Sequence, residues 1–206
     1  MKVSMKAVLS ALVGIFFVGL GVAFNNQAGL GNDSIGIIYD GVRNTANLST
    51  QQLGTASNII NIGLSIILLL IGRRYINIGT LIYILPYGFF VDIGTKIYSL
   101  LPFTDMLIVR ILAATVGSLS LYLGVGIFIA TDIGLDPFTG LVMVIKDKLN
   151  KEYAPVKIVF DITMIVIGIL LGGKFGIITL VTALTAGPII QFFSKRVRKL
   201  LKFKEI

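Results

Sequence analysis

Asp161 is the residue that most needs a chemical explanation. It lies six residues into an apolar stretch that runs from Pro155 to Leu171. An ionisable group at membrane depth is costly and reads as functional by default. Its carboxylate could bind a coupling proton or a cation. Asn61 holds a comparable place in the apolar stretch from Ala56 to Gly72, and its amide could bind a solute. The structural alternative for both is interhelical hydrogen bonding that holds a bundle together.

Asp33 and Asp136 each precede a short apolar run, Ser34 to about Asn44 and Pro137 to Ile145. Asp33 or Ser34 can cap the first run. Asp136 followed by Pro137 is an N-cap with proline at the first helical position. A helix amino end carries partial positive charge and free N–H groups, so a solute could bind there. The plainer alternative is that the two aspartates only cap their helices. Asn25 and Asn26 close the first long apolar stretch, either at a cavity mouth or as ordinary helix-end residues.

Other chemistries are closed by composition. The chain has no Cys and no His. Thiol catalysis, Cys/His zinc sites, His-ligated haem and Ser-His-Asp triads are therefore excluded. No paired carboxylates fall close together on one helix. The sequence predicts no catalytic residues, no metal site, no cofactor and no enzymatic activity.

The elements that must carry these residues follow from hydropathy. Of 206 residues, 55% are hydrophobic and 14% charged, against about 25% charged in soluble domains. A bilayer core needs about 20 apolar helical residues. Six stretches qualify: Ala7 to Phe24, Ala56 to Gly72, Ile76 to Val91, Met106 to Ala130, Pro155 to Leu171 and Phe175 to Phe193. The two runs after Asp33 and Asp136 are too short to span, so each is re-entrant, interfacial or buried. The first stretch could pass for a signal peptide, but its counterpart later in the chain argues for a retained helix.

The net charge of +8 sits at the ends of apolar stretches and in the tail. That placement fits membrane topology rather than nucleic-acid binding. With six spans, 14 of the 18 cations share one side, and only Arg43, Lys96, Arg110 and Lys174 lie on the other. Both termini are then expected in the cytoplasm. The tail from Lys195 to Lys204 is expected on anionic lipid headgroups. Gly168-x-x-x-Gly172 and Ala113-x-x-x-Gly117 favour close helix packing, and an oligomer or partner subunit stays open.

The chain also matches itself. Leu20-Gly21-Val22-Ala23 aligns with Leu123-Gly124-Val125-Gly126, Gly31 with Gly134 and Asp33 with Asp136. Asn61 aligns with Asp161, Thr80-Leu81 with Thr179-Leu180, and Gly88 with Gly187. Matching polar landmarks predict a duplication: 1–104 as a first three-helix repeat, 105–194 as a second and 195–206 as a basic tail. An odd number of spans per repeat makes the two inverted, a common transporter design. Asn61 and Asp161 are then expected near one another across the axis. The fold class expected is an all-α membrane protein of six spans, with one half-helix per repeat.

The turn motifs resemble those of the YczE/YyaS/YitT family. They are Gly21 with Ala28-Gly29-Leu30-Gly31, Ile133-Gly134-Leu135-Asp136-Pro137-Phe138, Gly79 to Leu81 and Ala186 to Pro188. In the first half Asn32-Asp33-Ser34 departs from the family's Gly-x-x-Pro turn. The resemblance implies a bacterial multi-pass plasma-membrane protein and supplies no defined activity. The functional expectation is a small transporter or transporter-like protein for a small solute. The alternatives are a substrate-binding membrane subunit of a multi-component transporter, and a membrane regulator or assembly factor.

Overall fold

The computed structural model describes residues 4–102 and 105–201. Lys2, Lys202 and Lys204, which entered the charge argument, lie outside the described residues. Eight α-helices follow one another: α1 Met5–Ala28, α2 Gly36–Thr45, α3 Leu53–Ile71, α4 Ile78–Ser99, α5 Leu107–Thr131, α6 Pro137–Leu149, α7 Tyr153–Leu170 and α8 Ile177–Leu200. Six of them, all but α2 and α6, are long and apolar enough to cross a membrane. The protein is a multi-pass membrane protein. Every expected span has its helix, but the ends differ. α4 runs on to Ser99 instead of stopping at Val91, and α8 runs through the basic segment to Leu200. Asp92, Thr95 and Lys96 lower the hydropathy there but lie within α4. The start of the basic tail is thus a continuation of α8.

α1 and α5 form the centre of the bundle, crossing backbone to backbone. A Cβ on Gly21 would stand 2.5 Å from the Gly117 carbonyl oxygen, and one on Gly124 would stand 2.5 Å from that of Gly14. The small residues at these positions let the helices approach this closely. α4 packs on α1, and α8 packs on α5. α2 lies on α7 and α3, while α6 lies on α3 and α7. The Gly168 motif is spent inside the chain, since a Cβ there would meet Ile37 of α2 at 2.8 Å.

The joints between elements recur at positions that the sequence aligns. The Gly79 N–H donates to the Ile133 carbonyl at 3.1 Å, and the Ile178 N–H donates to the Leu30 carbonyl at 3.0 Å. α1 ends at Gly29 and α5 at Asp132, both left-handed at φ 65° and 53°. Gly31 and Gly134 then take positive φ of 109° and 158°. A Cβ at either would strike the neighbouring helix start, Gly176 at 2.7 Å or the Asn77 side chain.

The Lys6 ammonium donates to the Leu201 carbonyl, so α1 begins where α8 ends. The Arg73–Arg74 turn and the end of α6 share that face, joined by the Arg74–Asp147 ion pair.

Candidate functional site

α2 is too short to cross and is not laid on a surface. Seven of its ten residues are buried: Gly36, Ile37, Ile38, Tyr39, Asp40, Gly41 and Arg43. Its course can be followed along α7. Ser34, just before it, donates to Asp161 at 2.8 Å. Thr45, its last residue, donates to the Leu171 carbonyl at 3.1 Å. Nine residues of α7 separate Asp161 from Leu170, about 14 Å at 1.5 Å per residue. The amino end of α2 therefore stands halfway along a spanning helix, and its carboxyl end stands at the far face. That far end is pinned by Asp40, which is fully buried. It pairs with Arg43 at 2.9 Å and accepts the Lys174 N–H at 2.9 Å. Arg43, expected among the four cations on the less basic side, is a buried ion-pair partner.

α6 follows the opposite half of α3. A Cβ on Gly140 would meet Leu68, and one on Gly72 would meet Val144. The amino ends of α2 and α6 approach each other across an aromatic centre. Tyr39 of α2 stands against Phe138 of α6, ring centroids 5.9 Å apart, and against Tyr87 of α4 at 5.7 Å. Tyr83 stacks on Tyr87 at 5.0 Å and meets Phe128 at 5.2 Å. Phe160 of α7 closes on Phe138 at 6.3 Å.

The predicted site residues divide into three groups. Asp33 and Asp136 cap: Asp33 accepts the N–H groups of Ile35 and Gly36 at 3.3 Å each, and Asp136 accepts the N–H of Thr139 at 3.0 Å and its hydroxyl at 2.6 Å. Their own carboxylates thus occupy the half-helix ends. An anionic solute cannot use those N–H groups without displacing them. Asp161 and Asn61 lie at mid-helix, on α7 and α3. Asp161 pairs with Lys157 one turn earlier. Asn61 is fully buried and its carbonyl accepts the Tyr39 hydroxyl at 3.1 Å. Among the described residues no hydrogen bond joins Asn61 to Asp161. Instead both hold α2, one through Tyr39 and one through Ser34. Asn25 and Asn26 lie within the last turns of α1 and are buried. Asn25 accepts a hydrogen bond from Ser118 at 3.3 Å.

Several side chains keep polar atoms without a partner although they are buried. These are the Nδ2 atoms of Asn25, Asn26 and Asn61, both amide atoms of Asn32, and the Thr95 hydroxyl. A buried unpaired polar group costs roughly 1–3 kcal/mol, and such groups need a reason. Asn32 was not singled out in the sequence, because a polar residue in a glycine-rich turn is ordinary. Lys157 was missed as a loop cation, although its spacing of four from Asp161 is the spacing of a helical ion pair. Tyr39, Tyr83 and Tyr87 counted only as apolar residues.

Arg110 donates to the carbonyls of Ala28 at 2.7 Å and Gly29 at 3.0 Å, closing the end of α1. Thr80 reaches beyond its own helix to the Leu135 carbonyl at 2.7 Å. Two surface grooves lie away from the centre. One, of about 370 Å³, is lined by Arg73, Arg74, Tyr75 and Lys148 at the basic face. The other, of about 430 Å³, is an apolar furrow between α1 and α4.

A model of a family of unknown function, DUF6198, matches residues 5–195. The chain belongs to that family. The match spans all eight helices, up to all but the last turns of α8. A similar protein of Haemophilus influenzae, described as uncharacterized, is 26% identical over 195 residues, covering 95% of this chain and 86% of its own. No solved structure matches. The family that the match names is DUF6198, where the turn motifs resembled YczE/YyaS/YitT proteins.

Proposed function

We propose that this DUF6198 protein is a small transporter or transporter-like protein, with its solute held between two inverted halves. The observation that carries the reading is the meeting of α2 and α6. Each is a half-helix from a different half, each ends in mid-bundle, and they meet beside buried amides that lack partners. Broken helices that end at a midplane site are a recurrent transporter arrangement. The inverted relation is supported by the paired joints Gly79–Ile133 and Ile178–Leu30, and by the exchange of α2 on α7 for α6 on α3. On this reading 1–104 and 105–194 are the two halves, and the basic tail from 195 lies on cytoplasmic headgroups. The resemblance to YczE/YyaS/YitT proteins accords with a plasma-membrane location, and the concentration of cations at the Lys6 face accords with cytoplasmic termini. Asp161, Asn61 and Asn32 bind or position; none is assigned a covalent step, and no enzymatic activity is proposed.

A second reading has its own observation. α7 and α8 have only 17% and 11% of their apolar windows buried. They pack on other helices rather than tightly on each other. A substrate-binding subunit of a larger transporter would present such helices to a partner protein. A regulator or assembly factor would as well, but it would leave the unpaired amides unexplained.

The test is a thermal-shift screen of a solute library against purified protein, wild type and Asp161→Asn. The transporter reading expects a stabilising solute whose effect weakens in the variant. A library without any stabilising solute, together with a variant that folds and complements a deletion strain, removes the reading. Stable co-purification with an energising module would favour the subunit reading.

A further inference from the structure

The basic groove at the Lys6 face lies apart from the centre, and what it can bind does not depend on the transporter reading. Its volume is about 370 Å³, inside the range of about 300–1,000 Å³ usual for small-molecule sites. It forms where the turn between α3 and α4 presses on the last turns of α6. That turn is one short helical turn, Arg73–Tyr75. Gly72 before it has no room for a Cβ, because Val144 of α6 fills the place.

The charged groups of the groove are of two kinds. Arg74 is held: its guanidinium lies 4.9 Å from the Tyr75 ring centroid, donates to the Tyr75 hydroxyl at 2.8 Å and pairs with Asp147. Lys146 pairs with the same carboxylate at 3.0 Å. Asp147 is thereby spent on two cations. Arg73 and Lys148 also line the groove and are exposed, and among the described residues neither side chain has an ion pair or hydrogen bond. These four cations against one carboxylate leave three positive charges in excess.

The charge selects an anion, and the apolar wall selects its kind. Ile71 lines the groove and is the last residue of α3. Leu70 beside it is 81% exposed, and Ile66 and Ile62 continue the exposed apolar stripe at helical spacing. α3 is long and apolar enough to cross a membrane. The stripe therefore meets acyl chains, and the groove at its end lies at the level of the headgroups. A soluble anion would use the cations alone, whereas a phospholipid uses the cations and the stripe together. Basic pockets at the ends of membrane helices are places where acidic headgroups bind.

We propose that the groove holds one acidic phospholipid, with its phosphate on Arg73 and Lys148 and an acyl chain along Ile71, Leu70 and Ile66. Arg74 and Lys146 keep the Asp147 carboxylate off the phosphate. The bound lipid ties the α3–α4 turn to the end of α6. Such a site differs from the attraction of a basic tail to a membrane, in which cations act by number and not by place.

The experiment counts lipid retained on the purified full chain by native mass spectrometry, from equal amounts of phosphatidylglycerol and phosphatidylcholine. One phosphatidylglycerol should be retained at least about tenfold more readily than phosphatidylcholine. Arg73→Gln/Lys148→Gln should lower its affinity roughly thirtyfold, whereas Arg73→Lys/Lys148→Arg should keep most of it. Lys195→Gln/Lys199→Gln removes the same charge from α8 and should leave the bound lipid in place. Equal losses in the groove pair and the α8 pair would mean attraction by charge number alone and would overturn the site. Equal retention of the two lipids by the wild type would overturn it as well. Glycerol phosphate, a head without chains, should not displace the lipid at equal concentration. Displacement would make the groove a site for a soluble phosphate and end the lipid assignment. If the groove pair fails to fold, the wild-type lipid ratio and the glycerol phosphate competition decide.

Discussion

Lys157 and Asp161 show how one pair of residues can organise the middle of a membrane protein. The two lie a helical turn apart on α7, and Ser34 brings a second half-helix to the same carboxylate. Removing the lysine alone leaves the Asp161 carboxylate without its ion-pair partner at mid-helix. Lys157→Met should therefore lower the thermal midpoint in detergent more than Asp161→Asn does. The double variant should recover part of the loss, with a coupling of about 0.5–3 kcal/mol. Additive losses in a double-mutant cycle would show that the pair does not act as a unit. Asp161 and Asn61 were legible in the sequence because a polar side chain stands out in an apolar run. Their partners were not. Ser34 reaches Asp161 across 127 positions of chain, and hydropathy records no such distance. Tyr39 was hidden for another reason: its ring counts as apolar, whereas its hydroxyl is what Asn61 holds.

At the scale of the helix, the apolar middles are set by composition and the ends by capping. The segment after Val91 illustrates the difference. Asp92 reads as an end in the sequence, yet in the structure it accepts the Gly54 N–H at 2.9 Å and secures the start of α3. Asp136 does the equivalent for α6. Asp136→Ala should cost about 1 kcal/mol and Asp136→Ser much less, read as thermal stability and as helix content. The α1–α5 contact is far less tolerant. Gly21 and Gly124 each face a backbone carbonyl at a distance that no Cβ can share. Gly21→Val or Gly124→Val should destabilise by about 1–3 kcal/mol or more through overpacking. Gly63 and Gly187 have open space around the same position, and Gly187→Ala should be nearly neutral. A mild effect of Gly21→Val would mean that α1 and α5 separate more readily than their packing indicates. The repeat spacing made Gly21 and Gly124 visible as a pair in the sequence. That they serve the same contact from opposite helices needed the fold.

At the scale of the whole molecule, two joints tie residues 1–104 to residues 105–194, the proposed halves. One links Gly79 to Ile133, with Thr80 bonded to Leu135; the other links Ile178 to Leu30. Both are made in this structure, which on the proposed transporter reading corresponds to an occluded state. Under the proposed inverted relation the joints are equivalent, and transport requires each to open in turn. The chain has no Cys, so an introduced pair is the only one that can cross-link. Cysteines at positions 30 and 178 stand on adjacent backbones, because the Ile178 N–H and the Leu30 carbonyl are 3.0 Å apart. Oxidising Leu30→Cys/Ile178→Cys in reconstituted vesicles should stop solute flux, and reduction should restore it. Solute entry from the basic face should survive the cross-link, because the Gly79–Ile133 joint is untouched. Binding measured from that side then separates a locked transporter from a damaged one. Undiminished flux with the cross-link complete would mean that the joint does not open during turnover. Loss of binding from both sides would mean that the halves move as one body, and a fixed scaffold rather than an alternating pair would describe them.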